Sequence, residues 1–225
     1  MRRVWLVPAG LITLSLVPMV AGAVRMTELA RGAQVTAENE RFFEMPVPVV
    51  VHIISASLYL VVGTFQFVPR LRRNRWHRMA GRVLVPLGIA AAVSGLWMSV
   101  FYDLPPSDGD LLRAFRLFFG TGMVLAILLG LAAALRRDFR SHRAWMMRGY
   151  AIGLGAGTQV FTHVPWLLAF GVPDEFTRAM LMAAGWVINL VVAECVIRSR
   201  PLQQTPSRPV ARRGDASDAR VLSGA

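Results

Sequence analysis

Four long stretches of this chain carry no Asp, Glu, Lys or Arg: residues 45–69, 83–102, 117–135 and 149–173. A helix needs about 20 apolar residues to cross roughly 30 Å of hydrocarbon, and each stretch is near or above that length. Lipid offers the backbone no hydrogen-bond partners, so stretches of this kind cross as helices that satisfy their own backbone. A soluble domain would not segregate its charges so completely. Only 17% of the 225 residues are charged, and these cluster between the apolar runs. The pattern predicts an all-α, polytopic membrane helical bundle.

Six spans are predicted, at about residues 4–23, 49–68, 83–102, 115–135, 146–170 and 177–197. The segment 1–23 is read as a first transmembrane helix, 24–48 as an outer loop, 49–198 as a five-span core and 199–225 as a disordered tail. The tail holds Pro and Arg but no continuous apolar face. Met1-Arg2-Arg3 before an apolar run that ends in Ala21-Gly22-Ala23 also resembles a secretory signal with a small-residue cleavage site.

Charge placement sets the expected orientation. The loop from Arg70 to Arg82 holds six arginines and no acid, and the segment from Arg136 to Arg148 is also strongly basic. The opposite connections carry Asp103, Asp108, Asp110, Asp174 and Glu175. Basic loops stay in the cytoplasm, which puts both termini there and the protein in the cell inner membrane. The net charge of +12 comes with 25 basic residues, all Arg, placed beside apolar runs and in the tail. That placement argues for membrane lipid as a partner and against nucleic acid. The lone Cys195 supports neither an internal disulfide nor a cysteine-rich metal site.

Ionisable residues inside a membrane invite a functional reading. His52 and His163 each fall a few residues inside the outward end of a predicted span. Two facing histidines at one depth suit axial ligation of a haem b, each with its second ring nitrogen hydrogen-bonded. Other buried polar roles, proton handling and plain structural hydrogen bonding are equally compatible with the pattern. His77 and His142 stand in Arg-x-His-Arg settings at the basic edge, a weaker candidate for an inner haem. The bland role there is lipid anchoring through Arg78, Arg82, Arg143 and Arg148. His142 and His163 lie 21 residues apart, about 31 Å along a continuous helix, which is wide for two haems.

Other polar groups have milder expectations. Glu194 is placed to pair with Arg148 or Arg198, and Asn189 to hydrogen-bond between helices. Gly149, Gly153, Gly155 and Gly157 remove side-chain volume and favour close packing. Gly153-Leu154-Gly155-Ala156-Gly157 is not a dinucleotide fingerprint, because it lies in an apolar helix rather than between a strand and a helix.

The stretch from Val51 to Arg82, with His77-Arg-x-x-Gly-Arg82, and His142-Arg-x-Trp-Met-x-Arg148 resemble the bacterial membrane family called domain of unknown function 2306. The resemblance covers most of residues 45–198 and implies an integral membrane protein without implying a reaction. A looser similarity is to two-haem b-type membrane cytochromes, which would assign His52 and His163 to an outer haem and His77 and His142 to an inner one. Two functions are therefore open. One is a haem-binding electron-transfer protein with a redox partner or quinone. The other is a non-enzymatic transporter or membrane assembly factor with structural or lipid-binding histidines.

Overall fold

The computed structural model describes residues 3–68, 70–71 and 74–199. The described residues form helices joined by short connections: α1 (Arg3–Arg31), α2 (Glu40–Glu44), α3 (Pro46–Thr64), α4 (Arg75–Phe101), α5 (Asp110–Leu135), α6 (Phe139–Gly153), α7 (Gly155–Phe170) and α8 (Glu175–Arg198). Short 3-10 turns cover Phe65–Phe67 and Pro106–Asp108. Of these helices α1, α4, α5, α8 and the α3 stretch are long and apolar enough to cross a membrane. Their exposed surface is rich in large apolar side chains, among them Leu6, Leu58, Phe118, Leu125 and Val187. In water such a surface would be costly; in a bilayer it is the surface that meets lipid.

Helix ends extend past the apolar limits read from the sequence. α4 begins at Arg75 and α5 at Asp110, because polar residues continue a helix beyond hydrocarbon without losing backbone bonds. Asp138 and Asp174 cap α6 and α8, accepting from the amides of Ser141 (3.0 Å) and Thr177 (2.7 Å). Pro46 and Pro48 sit in the first turn of α3, where missing amides matter least. Gly171, at φ 83°, closes α7 in a conformation that most side chains resist.

Two expectations are corrected. The segment 24–48 is not a single outer loop: α1 runs on to Arg31, and α2 occupies Glu40–Glu44. The predicted fifth span is not one helix but α6 followed by α7, interrupted at Leu154. The Gly157 amide donates to the Leu154 carbonyl (3.0 Å), a tighter turn than the α-helical one. Gly153, Gly155 and Gly157 explain why the interruption falls here. Trp186 of α8 packs against Gly155, and the Leu14 backbone of α1 against Gly157, where a β-carbon would collide. Asn189 of α8 supports the break, donating to the Ala151 carbonyl (3.1 Å) and accepting from Thr158 Oγ1 (2.7 Å). The tail expectation, beyond Ser199, lies outside the described residues.

The strongest packing joins α3 to α4 and α5 to α6. α1 packs on both α3 and α7, which share no comparable contact with each other. One end of the bundle carries α2 and the Pro106–Asp108 turn; it is called the cap end below. The other, with Arg148 and Glu194, is the basic end.

Candidate functional site

A cavity of about 390 Å³ occupies the bundle on its cap side. That size lies within the roughly 300–1,000 Å³ range of small-molecule sites. His52 stands on its wall, Tyr59 and Met123 are among its deepest residues, and Arg41, Asp108 and Arg116 line its cap end. α1 contributes Pro18 and Met19, and the interrupted helix contributes Gly153, Ala156 and Gln159.

His52 is positioned by α4. Its Nδ1 lies 2.8 Å from the Ala91 carbonyl, and since a carbonyl only accepts, Nδ1 carries the proton. Ser94 Oγ lies 3.3 Å away. Gly95 makes room for the ring: a β-carbon there would stand 3.2 Å from His52 Cε1. The neutral imidazole therefore keeps its lone pair on Nε2, the form that ligates a metal or accepts a hydrogen bond.

Below His52 the bundle closes. The Tyr150 hydroxyl donates to the Leu60 carbonyl (2.8 Å) and lies 2.8 Å from Thr64 Oγ1. The rings of Tyr59 and Phe67 pack on Tyr150 at centroid distances of 5.8 and 4.9 Å. Tyr59 and Tyr150 fill the space left by Gly88 and Gly63, where a β-carbon would approach within 2.6 and 2.7 Å.

The cap end is charged and partly dry. Asp108 has only 5% of its side chain exposed and binds Arg116 through Oδ2 and Arg178 Nε through Oδ1, both at 2.9 Å. Arg41 stacks over the Phe42 ring at 4.5 Å, with Arg25 over the same ring at 4.4 Å. Burial lowers the Arg41 guanidinium from its ordinary value; Asp108 opposes that shift, while Arg25 and Arg116 add to it. Tyr102 ties this end together, donating to the Met45 carbonyl (2.6 Å) and meeting Phe42 edge-on.

His163 is not among the residues lining the cavity. It donates Nδ1–H to the Gln159 carbonyl one turn earlier (2.8 Å), and its Nε2 is buried without a hydrogen-bond partner. His52 thus lines the cavity and His163 does not, although α3 and α7 both contribute to its wall. At the basic end, His142 donates Nδ1–H across its hairpin to the Gly130 carbonyl (2.8 Å). His77 is half-buried at the start of α4. Arg78 and Arg82 are exposed and Arg143 half-buried. Arg148 is bound by Glu194 (2.5 Å) and stacks over Trp145 at 4.7 Å, so its charge is matched within the protein. Arg198 reaches the second Glu194 oxygen at 3.6 Å. Both pairings anticipated for Glu194 are present.

Sequence reading missed Arg41, Asp108, Arg116 and Gly95. Asp108 appeared only as one acid in an acidic loop, and Arg41 as part of an outer loop. Among the described residues, no three His, Cys, Asp or Glu side chains gather to hold a metal ion. No curated protein and no solved structure matches the chain, so the looser likeness to two-haem cytochromes finds no support there. The spans, the apolar exterior and one family comparison together make this a multi-pass membrane protein. The family model described as "Predicted membrane protein (DUF2306)" matches residues 49–197, and the chain belongs to that family.

Proposed function

We propose that this protein transfers electrons in a bacterial inner membrane, with a lipid-soluble redox molecule of the haem or quinone class held in the cavity against His52. The observation that carries this reading is the fixed tautomer of His52 on the wall of an apolar chamber. Donation of Nδ1–H to the Ala91 carbonyl orients the ring and raises the basicity of Nε2. That nitrogen fits an axial ligand to haem iron and equally a hydrogen-bond acceptor for a quinol hydroxyl. Haem, when bound, supplies an iron that gains and loses one electron. The protein's part is to exclude water around the site, through Tyr59, Met123 and the α1 residues Pro18 and Met19.

The His163 Nε2 has the same donor chemistry, but His163 is not among the residues lining the cavity. The reading offered here therefore needs His52 alone, with His163 tested beside it. On this reading the α6–α7 pair makes a sixth crossing and the two basic loops face the cytoplasm. Arg78, Arg82 and Arg143, with His77 and His142, then meet anionic lipid headgroups.

The test is purification from a haem-replete host, followed by reduced-minus-oxidised spectra and chromatography of the extracted quinone. Stoichiometric haem or quinone, lost in H52A, is the expected result. A colourless, quinone-free wild-type protein contradicts it. H163A separates one axial histidine from two: an unchanged low-spin signal excludes His163 as a ligand.

A second reading, a non-enzymatic transporter or assembly factor, draws on one specific observation. The helix interrupted at Leu154 contributes Gly153, Ala156 and Gln159 to the cavity, and transporters commonly build their sites from interrupted helices. A stable protein free of redox ligand would favour it.

A further inference from the structure

The cap end of the cavity has more positive charge than its carboxylate can match. Asp108 is the acid lining that end, and both of its oxygens are already taken, one by Arg116 and one by Arg178. Arg41 lines the same end and forms no ion pair among the described residues; its guanidinium rests on the Phe42 ring. Arg25 lies on the other contact of that ring and is matched by Glu28. A half-buried guanidinium in no ion pair among the described residues, near a carboxylate already shared by two others, leaves an anion position open. It lies at one end of an otherwise apolar chamber, so the shape of the chamber fits a molecule with one charged end.

We infer that the ligand of this cavity is an amphipathic anion, its headgroup held by Arg41 beside Arg116 and its apolar body extending past His52 toward Tyr59. The inference rests on the reading that the cavity takes a lipid-soluble ligand, and it narrows the class. A neutral quinone offers Arg41 only an uncharged carbonyl acceptor, whereas haem and a fatty acid offer an ionised carboxylate. Guanidinium and carboxylate pair through charge-assisted hydrogen bonds that favour the ionised partner.

Full-length protein in zwitterionic nanodiscs is titrated with two acid and ester pairs: haem b against its dimethyl ester, and oleate against methyl oleate. Wild type, R41Q, R41K and H52A are compared. The acid-to-ester affinity ratio in R41Q serves as the reference for membrane partitioning. The expected result, for at least one pair, is a wild-type ratio about tenfold or more above that reference, the scale of a charged hydrogen bond, largely kept in R41K. Equal ratios in wild type and R41Q for both pairs overturn the inference. Should R41Q fail to fold, the wild-type ratio at low and high salt gives the same decision. An ionic preference shrinks on screening, and a partitioning difference does not.

The arms separate this inference from the redox reading. Haem bound through His52, with the ester ratio indifferent to Arg41, keeps the redox reading and overturns the anion site. Oleate bound with Arg41 dependence, with neither haem form bound, supports the anion site and removes haem from the redox reading. Preference for the haem acid, with both haem forms lost in H52A, supports the two together.

Discussion

The two halves of the bundle use glycine for opposite ends. Toward the basic end, Gly63 and Gly88 bring helices so close that Tyr150 and Tyr59 fill the vacated volume, and the half is closed. Toward the cap end, Gly95 admits the His52 imidazole, and the neighbouring space stays open as a cavity. The polar groups differ in the same way. Tyr150, Thr64 and the Leu60 carbonyl satisfy one another, whereas Arg41 at the cap forms no ion pair among the described residues. Missing side-chain volume therefore does not by itself mark a site. It marks one where the groups around it remain unsatisfied.

A pair of histidines sharpens the contrast. His52 pins α3 to α4 through the Ala91 carbonyl, and His142 pins α6 to α5 through the Gly130 carbonyl. Both rings are fixed in the same tautomer by the same kind of bond. Only His52 lines the cavity.

The largest expected effect comes from separating α1 from the cap half. In G157V the new side chain meets the Leu14 backbone, which cannot swing aside as a side chain can. Overpacking of this kind costs about 3 kcal/mol. Thermal unfolding should report it, and amide exchange should rise in α1 and near His52 more than around Tyr150. Uniform exchange across both halves would break the distinction between them.

D108N should cost about 2 kcal/mol, because two guanidinium groups at a mostly buried position lose their shared anion. Denaturant unfolding measures the loss. The disturbance should stay at the cap and leave the Tyr59–Tyr150 contact intact. Y150F, in the closed half, should cost about 1 kcal/mol through its lost hydrogen bond to Leu60. It should leave ligand affinity in the cavity unchanged; a large change would show that the halves are coupled. E194Q should have the smallest effect, below about 1 kcal/mol and diminishing with salt, since the Arg148–Glu194 pair is partly exposed.

Five of the six expected spans could be read from the sequence, because hydrocarbon thickness dictates how long an uncharged helix must be. The partners of Glu194 were also readable, and for Asn189 the fact of an interhelical bond, since a polar group in an apolar helix must find a partner nearby. What could not be read was position around the bundle. His52 and His163 were placed at one depth by counting residues, but depth carries no information about which helices face each other. His52 lines the cavity, and His163 lies off it. The cap cluster was hidden for a related reason: Asp108 and Arg178 are 70 residues apart and meet only through the packing of the Pro106–Asp108 turn on α8. The interruption at Leu154 lacked a proline to announce it. The glycine run was visible, but the partners that exploit it come from α1 and α8.

On the proposed function His52, and not the similarly anchored His142, faces a ligand. Redox-ligand content per protein molecule in wild type, H52A and H142A, purified side by side from membranes, separates the two. H142A should retain its haem or quinone at the wild-type ratio, while H52A loses it and remains folded. Equal retention in all three, or loss in H142A with retention in H52A, would contradict that reading.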